Sequence, residues 1–546
     1  MKKFIYIFLI TLIFSGCQDL DLTPENLLSD GSLWNRSEDF ETGVNLLYPG
    51  IGEHTSDLDS DIAFANSPNS ISNGTRTAPA TSTFYNDSYR DIRRCNFLID
   101  RAIVNGFEGD RFVAEARWFR ALFYARLVEA YGDVPFYTEA IDPASEALFD
   151  VRTPREAVVD FLIRELKEIA PLLPLQSELS SAELGRITRG AADALRARIA
   201  LSEGTWIKYH GTPGNANERL DEAISASQAV ISSGEYELFN DGPDPDQSYR
   251  FFFMEVGNDS REQIVARRYD MNSLHNFTNG VRDGNNTSTR KLADMYLCTD
   301  GLPIEQSPLF QGRALMTDEF QNRDRRMVAT IIPPGTFAID RLDQDGTGAD
   351  FPTPVWDQSW YDNYKYISEF YFDATGGSVF FYHMLRYAEV LLINAEALYE
   401  QNGNITDAQL DATINLLRTR AGVANLTNTL VVANSLDMLT EIRRERTVEL
   451  AHEGFRRNDL RRWKTAEVEM PMALMGAQFG GTEFETVMLP DGGGLRYPDP
   501  PLQDANGNVI VEPASQRSFD PARDYLDPLP AEELVINPNL VQNPNW

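Results

Sequence analysis

Between Arg111 and Tyr131 the sequence RFVAEARWFRALFYARLVEAY sets Trp118, Phe119, Leu122, Phe123, Leu127 and Val128 around nearly the whole circumference of a helix. A helix apolar on all sides has no face to give to water and must lie inside a larger body. Gly132 and then Pro135 stop it, as a glycine and a following proline do. The chain therefore needs further helices around this one, and the sequence supplies them. Asp87–Val104 places Ile92, Cys95, Ile99 and Ile103 roughly on one stripe. Thr153-Pro154 stands as N-cap and N1 of a helix carrying Ala157, Phe161, Ile163, Leu166 and Ile169. Thr188–Glu203 holds Ala191, Ala192, Ala194, Ala197 and Ala200, small residues that let a partner helix come close. Asn217–Ser232 is a short amphipathic helix.

From about residue 234 to 379 the helical period fades into aromatics, Asn, Asp, Gly and Pro, with strand-like runs at Phe251–Phe253 and Ala329–Ile332. Helices resume at Phe381–Glu400, Asp407–Ala421 and Ser435–Glu453, and residues 464–546 form a Gly/Pro-rich tail. The expected fold is mainly α: a tetratricopeptide-like scaffold of helix pairs, about 87–232 and 381–463, around a long loop-rich insertion at 234–379 with few short strands. The period is not kept cleanly enough to establish a repeat from spacing alone.

The first residues bear on location. Lys2-Lys3, an apolar run from Phe4 to Phe14 and Ser15-Gly16-Cys17 read as an export signal over residues 1–16. The run is short of the roughly 20 residues a membrane span takes. Small residues before Cys17 resemble a lipobox, although Phe14 stands where leucine is usual. Cys17 is then the acylated first residue of the mature chain, and residues 17–24 a polar tether. Acidic residues outnumber basic ones, 82 to 49, for a net charge of −33. Such a surface repels nucleic acid and anionic headgroups, which are excluded as ligands. Only Cys95 and Cys298 follow Cys17, too few for a disulfide framework in an exported chain, and they are expected to be free buried thiols. The five histidines show no metal-ligand spacing.

Four stretches resemble the SusD/RagB family of surface glycan-binding lipoproteins. They are Glu115–Pro135 (EARWFRALFYARLVEAYGDVP), Leu385–Tyr399 (LRYAEVLLINAEALY), Ile442–Trp463 (IRRERTVELAHEGFRRNDLRRW) and Asp527–Trp546 (DPLPAEELVINPNLVQNPNW). They run from end to end of the mature chain, so the likeness covers residues 25–546. Arg457-Asn458 departs from the aromatics usual before Asp459. The resemblance implies a non-catalytic lipoprotein, anchored in the outer membrane and exposed at the cell surface. It would bind a glycan or oligosaccharide and deliver it to a SusC-like TonB-dependent transporter. The bottom-up reading of the motifs is structural. Arg444, Arg446, Arg456 and Arg462 alternate with Glu445, Glu449, Glu453 and Asp459 at spacings of three and four, a network of Arg–carboxylate pairs with the acids held ionised.

No nucleophile elbow, phosphate-binding loop or His-Glu-x-x-His is present. Paired carboxylates are too numerous for composition to exclude a glycoside hydrolase, which stays a remote alternative. Sugar recognition needs flat rings and hydroxyl-reading side chains on loops. Three loop regions offer them: Asn73, Arg76 and Tyr85; Asn276, Phe277 and Arg282; and Trp356, Trp360, Tyr361 and Tyr364, the densest ring cluster and the best sugar platform. If those rings are buried, the platform argument fails and a peptide-capturing or protein-only helical adaptor gains. No cofactor is expected. Asp343, Asp345 and Asp350 resemble an open calcium loop without the closing glutamate, and Asp504–Asn508 a weaker one; Asx-Gly turns explain both.

Overall fold

The structure is a computed structural model that describes residues 33–546 apart from 66, 143, 243, 278–285, 316, 334–358, 369–376, 489–492 and 496. The expectations for Cys17, Arg282, Trp356, Asp343, Asp345 and Asp350 lie outside the described residues. The longer described helices are α1 Ser37–Asn45, α2 Thr83–Asn105, α3 Arg111–Tyr131, α4 Arg155–Ile169, α5 Arg189–His210, α6 Ala216–Ser233, α7 Tyr387–Asn402, α8 Ile414–Ala421, α9 Met438–Glu449 and α10 Arg456–Arg462.

Helix α3 has the bounds its periodicity predicts. Asp110 caps it by accepting the Phe112 N–H at 2.8 Å, and Gly132 ends it at φ 74°. Its apolar ring is buried on every side, between α1, α2 and α4. Each fully buried Leu, Val or Phe there contributes about 1.5–3 kcal/mol. The five alanines of α5 are wholly buried where α4 and α6 close on it, and Trp118 of α3 donates to the Ala191 carbonyl at 3.0 Å. From α2 to α6 each helix packs on the one before. Helix α7, arriving long after α6 in sequence, docks beside it, with Asn394 donating to Ser227 Oγ at 3.0 Å, and α9 follows on α7. The result is the expected helix-pair scaffold.

Several local expectations change. Helix α4 begins at Arg155, and Thr153 instead pairs its backbone with Val134; Asp133 Oδ1 caps the helix by accepting the Arg155 N–H. Phe251–Phe253 and Ala329–Ile332 are not strands: Ser248–Phe252 and Arg325–Thr330 are short helices whose bulky residues reflect burial. Tyr382–Arg386, expected as helix, is strand β4, antiparallel to β2 Gln263–Arg267. All five of its residues are buried, and a short run buried on both faces has no period to read. Asp407–Ala421 breaks into Asp407–Asp411 and α8. Strand β1 Ala63–Phe64 pairs with β3 Thr287–Ser288, and β5 Leu474–Gln478 with β6 Asn508–Glu512. Cys95 and Cys298 are free and buried.

A buried charge cluster bolts the insertion to the scaffold. Arg386 holds Glu449 at 2.7 Å, Glu262 at 2.9 Å and Glu453 at 2.7 Å. Arg420 reaches Glu262 and Glu449, each at 2.6 Å. Arg326 reaches Asp324, Glu445 and Glu449, and Lys365 reaches Glu453 at 2.7 Å. The Arg–carboxylate network expected along one stretch therefore runs mostly between elements; within the stretch it keeps Arg446–Asp459 and Arg462–Asp459. Burial would raise the Glu449 carboxyl, but Arg420, Arg386 and Arg326 outweigh it and hold the group well below the usual range.

A ledge of converging loops as the candidate ligand face

The insertion supplies the loop face, and its backbone explains the assembly. Strand β3 pairs with β1 on one side and, through Thr287, with Asp362 on the other. Ser288 N–H donates to the Tyr361 carbonyl at 2.8 Å, and Ile332 N–H to that of Asp362 at 2.9 Å. His275 and Ser378 exchange backbone hydrogen bonds at 3.1 and 2.7 Å. The described flanks of 334–358 thus meet each other beside residue 287, which follows 278–285; those before 278–285 and after 369–376 meet at a second rung. The described flanks of three segments of the insertion therefore lie on neighbouring backbone.

Next to β3 a groove of about 350 Å³ is bounded by Asp61, Thr289, Arg290, Lys291, Glu469 and the segment 472–475. Lys291 joins Asp61 at 2.6 Å and also pairs with Glu469, and Arg290 pairs with Asp294 at 3.2 Å. Met472, 55% exposed, gives the rim an apolar patch. Burial alone would raise the Asp61 carboxyl, but Arg456 and Lys291 hold it well below the ordinary range. It is a hydrogen-bond acceptor and unsuited to act as a general acid near neutral pH. The groove offers paired donors and acceptors to hydroxyl groups. Sequence reasoning missed it, because its walls come from three segments far apart in the chain.

The sequence-predicted residues scatter. Trp360, Tyr361 and Tyr364 are 9%, 1% and 5% exposed, so they present no free faces, which corrects the platform expectation. Trp360 packs on Phe479, Phe484 and Tyr497 at centroid distances of 5.2, 4.8 and 4.7 Å. Tyr361 donates to Glu319 at 3.0 Å, and Tyr364 lies under the Arg250 guanidinium at 3.9 Å. Asn73 is buried and donates to Glu512 at 3.0 Å. Arg76 pairs with Asp527 and sits over the Trp546 ring. Tyr85 packs between Tyr89 and Tyr131. Asn73 and Arg76 thus tie this segment to the C-terminal tail, and Tyr85 packs in an aromatic cluster of the scaffold. Asn276 is exposed and Phe277 half-buried, stacked on His275 at 3.9 Å, so this pair stands on the ledge. Asp504 accepts the Asn506 and Asn508 N–H groups, an Asx turn.

Two features bear on catalysis and metals. Ser288 and His452 hydrogen-bond at 2.9 Å, but both are wholly buried and His452 Nδ1 has no hydrogen-bond partner among the described residues, so the pair lacks both access and a described orienting carboxylate. Among the described residues no group of three or more His, Cys, Asp or Glu side chains is placed to hold a metal ion.

The profile of the SusD family matches residues 251–546, and one described as "starch-binding associating with outer membrane" matches residues 44–201. SusD-like protein P2 of Formosa agariphila is 24% identical over the whole chain and 99% of its own length. A SusD-like carbohydrate binding protein from Bacteroides fragilis superposes with TM-score 0.73 at 24% identity, over 93% of this chain and 99% of that one. A laminarin binding SusD-like protein superposes with TM-score 0.62 at 19% identity, over 94% of this chain and all of the other. With a matched profile over more than half its length, on a scaffold shared almost end to end, the chain belongs to the SusD family.

Proposed function

We propose that this protein binds a glycan or its oligosaccharides at the cell surface without cleaving them and passes the ligand to a SusC-like TonB-dependent transporter. The observation that carries the reading is the end-to-end family match, whose N-terminal profile is described as starch-binding and associated with the outer membrane. Residues 1–16 are the export signal, Cys17 the lipidated anchor and 17–24 the tether. Among the described residues no helix is long and apolar enough to cross a membrane. The scaffold, 87–232 and 381–463, supports the insertion, 234–379, whose ledge carries the ligand face.

Burial of Trp360, Tyr361 and Tyr364 favours a second reading, a peptide-capturing or protein-only adaptor, because the densest ring cluster is core. Titration of the protein against panels of polysaccharides, oligosaccharides and peptides separates the two. Glycan binding in the micromolar to millimolar range of an open site, lost in Lys291→Ala or Phe277→Ala proteins that stay folded, supports the first. Response to peptides alone supports the second. Release of reducing ends from any polysaccharide would require the remote third, a glycoside hydrolase, and overturn both.

A further inference from the structure

A second concavity lies inside the scaffold, away from the ledge. A cleft of about 310 Å³ runs among α3, α5, β4 and the start of α10. That is at the lower end of small-molecule pockets, which span about 300–1,000 Å³. His54 and Phe84, both exposed, lie on its lining and mark an opening to solvent.

Most charges in its walls are matched. Asp527 and Asp59 meet Arg457, Glu203 meets Arg155, and Asp459 meets Arg446 and Arg462. Glu453 meets Lys365 and Arg386, and Arg198 meets Glu389. Three groups are left over. Arg126 donates to the Gly50 and Ile51 carbonyls and forms no ion pair with a described carboxylate. Arg461, nearly fully buried, donates to the Tyr525 carbonyl at 2.6 Å and that of Ala130 at 3.2 Å, again with no carboxylate. Among the described residues Glu129 accepts only from Asn458 Nδ2, at 3.2 Å. In the same wall Arg446 Nη1 is buried with no hydrogen-bond partner among the described residues.

Burial outweighs the pull of Glu129 on Arg126 and of Asp527 and Glu129 on Arg461, pushing Arg126 down to about 10 and Arg461 down to about 9, and it raises Glu129 against the pull of Arg198, Arg155 and Arg461. A guanidinium in a low-dielectric wall is stabilised by a charge-assisted pair, and carboxylate geometry suits it best. Two such groups beside one carboxylate that holds its proton more readily than usual match a ligand with one carboxylate and hydroxyl groups. Phe455, lying under Arg198 and Arg446, gives the wall a ring edge for a C–H surface.

We propose that this cleft binds a small hydroxy-carboxylate of monosaccharide size, its carboxylate held by Arg126 and Arg461 and a hydroxyl by Glu129. The proposal stands on the cleft alone and is independent of glycan binding at the ledge.

The test is calorimetric titration and thermal unfolding of the purified protein with D-glucuronate, and with D-glucose as the uncharged control. Glucuronate is expected to bind saturably and raise the unfolding midpoint, and glucose to do neither. Arg126→Gln should weaken glucuronate about tenfold or more, the loss of a charge-assisted bond. Should that variant not fold, Glu129→Gln carries the test: without the one unmatched carboxylate, glucuronate should bind several-fold more tightly. Equal responses to the two sugars, glucuronate binding untouched by Arg126→Gln, or affinity unchanged in Glu129→Gln would overturn the proposal. Lys291→Ala, which alters only the ledge, should leave glucuronate binding as it was.

Discussion

Arg386 Nη1 and Glu449 Oε1 stand 2.7 Å apart, with side chains 1% and 0% exposed. Arg386 is the residue on which strand β4 becomes helix α7, and Glu449 ends α9. The same guanidinium takes Glu262 from the insertion. One side chain thus joins two scaffold helices to the loop-bearing part of the chain. The arrangement fixes geometry more surely than it adds stability, since removing two charges from water costs much of what their attraction returns. Breaking it is another matter. Glu449→Ala leaves Arg386, Arg420 and Arg326 each one carboxylate short in a buried cluster, and is expected to cost about 3–5 kcal/mol. Urea unfolding of the two proteins measures it; a loss under 1 kcal/mol would show that the cluster is not a clamp.

Acid should loosen the structure through Glu396. This buried carboxyl receives both Arg462 Nη atoms, at 2.5 and 2.7 Å, and the Trp463 indole at 2.6 Å. Burial works to raise it, yet Arg462 pushes it down to about 2 from 4.5. A folded-state value below the unfolded one gives stability that is complete above about pH 4.5 and lost as pH falls towards 2. The contribution is on the order of 3 kcal/mol. Glu396→Gln should therefore lower the urea midpoint at neutral pH, with the gap to the native protein closing between about pH 5 and pH 2. A gap of constant size would contradict the assignment.

Trp360 divides core from platform. Its ring is enclosed by Phe479, Phe484 and Tyr497, so Trp360→Ala should cost about 3–5 kcal/mol in unfolding experiments. Trp360→Phe should recover most of that. A ring serving mainly to stack on sugar would give the opposite pattern, unchanged stability and lost affinity.

These cases show what sequence could and could not convey. Helix α3 was legible to the residue because its signal is local: an apolar circumference, a terminal glycine and a following proline. Strand β4 was not, because five buried residues in a row have no alternation, and its partner β2 lies over 110 residues earlier. Trp360 was misread for a related reason. A dense run of rings looks the same whether it faces a sugar or Phe479, Phe484 and Tyr497, and those come from a tail segment whose approach nothing near Trp360 announces. Phe277 and Asn276 lie beside the rung that His275 makes with Ser378, while the groove at Lys291 was invisible, since Asp61, Lys291 and Glu469 meet only in the folded chain. The arginine–glutamate motifs were legible as a network, although their partners Arg326, Arg418 and Arg420 lie outside the motif.

The docking of residues 518–527 on residues 73–76 rests on Gly74. It sits at φ 76°, where a side chain is strained, and a Cβ there would strike the Ser518 carbonyl. That contact lies at the centre of a small seam. Ser518 N–H donates to the Asn73 carbonyl at 2.9 Å, Arg523 donates to that of Gly74 at 3.1 Å, and Arg76 pairs with Asp527. Gly74→Ala combines the left-handed penalty, about 1–2 kcal/mol, with an overpacking cost of about 1–3 kcal/mol. Backbone cannot yield as a flexible side chain would, so the strain is expected to part the seam, freeing the tail from Ser518 onward while the helical scaffold stays folded. Limited proteolysis then cuts near residues 518–527 in the variant and spares them in the native protein, at equal helical circular dichroism. Cleavage patterns that do not differ would mean the tail is held by other contacts, above all by Asn543, which donates to the Tyr131 and Asp527 carbonyls.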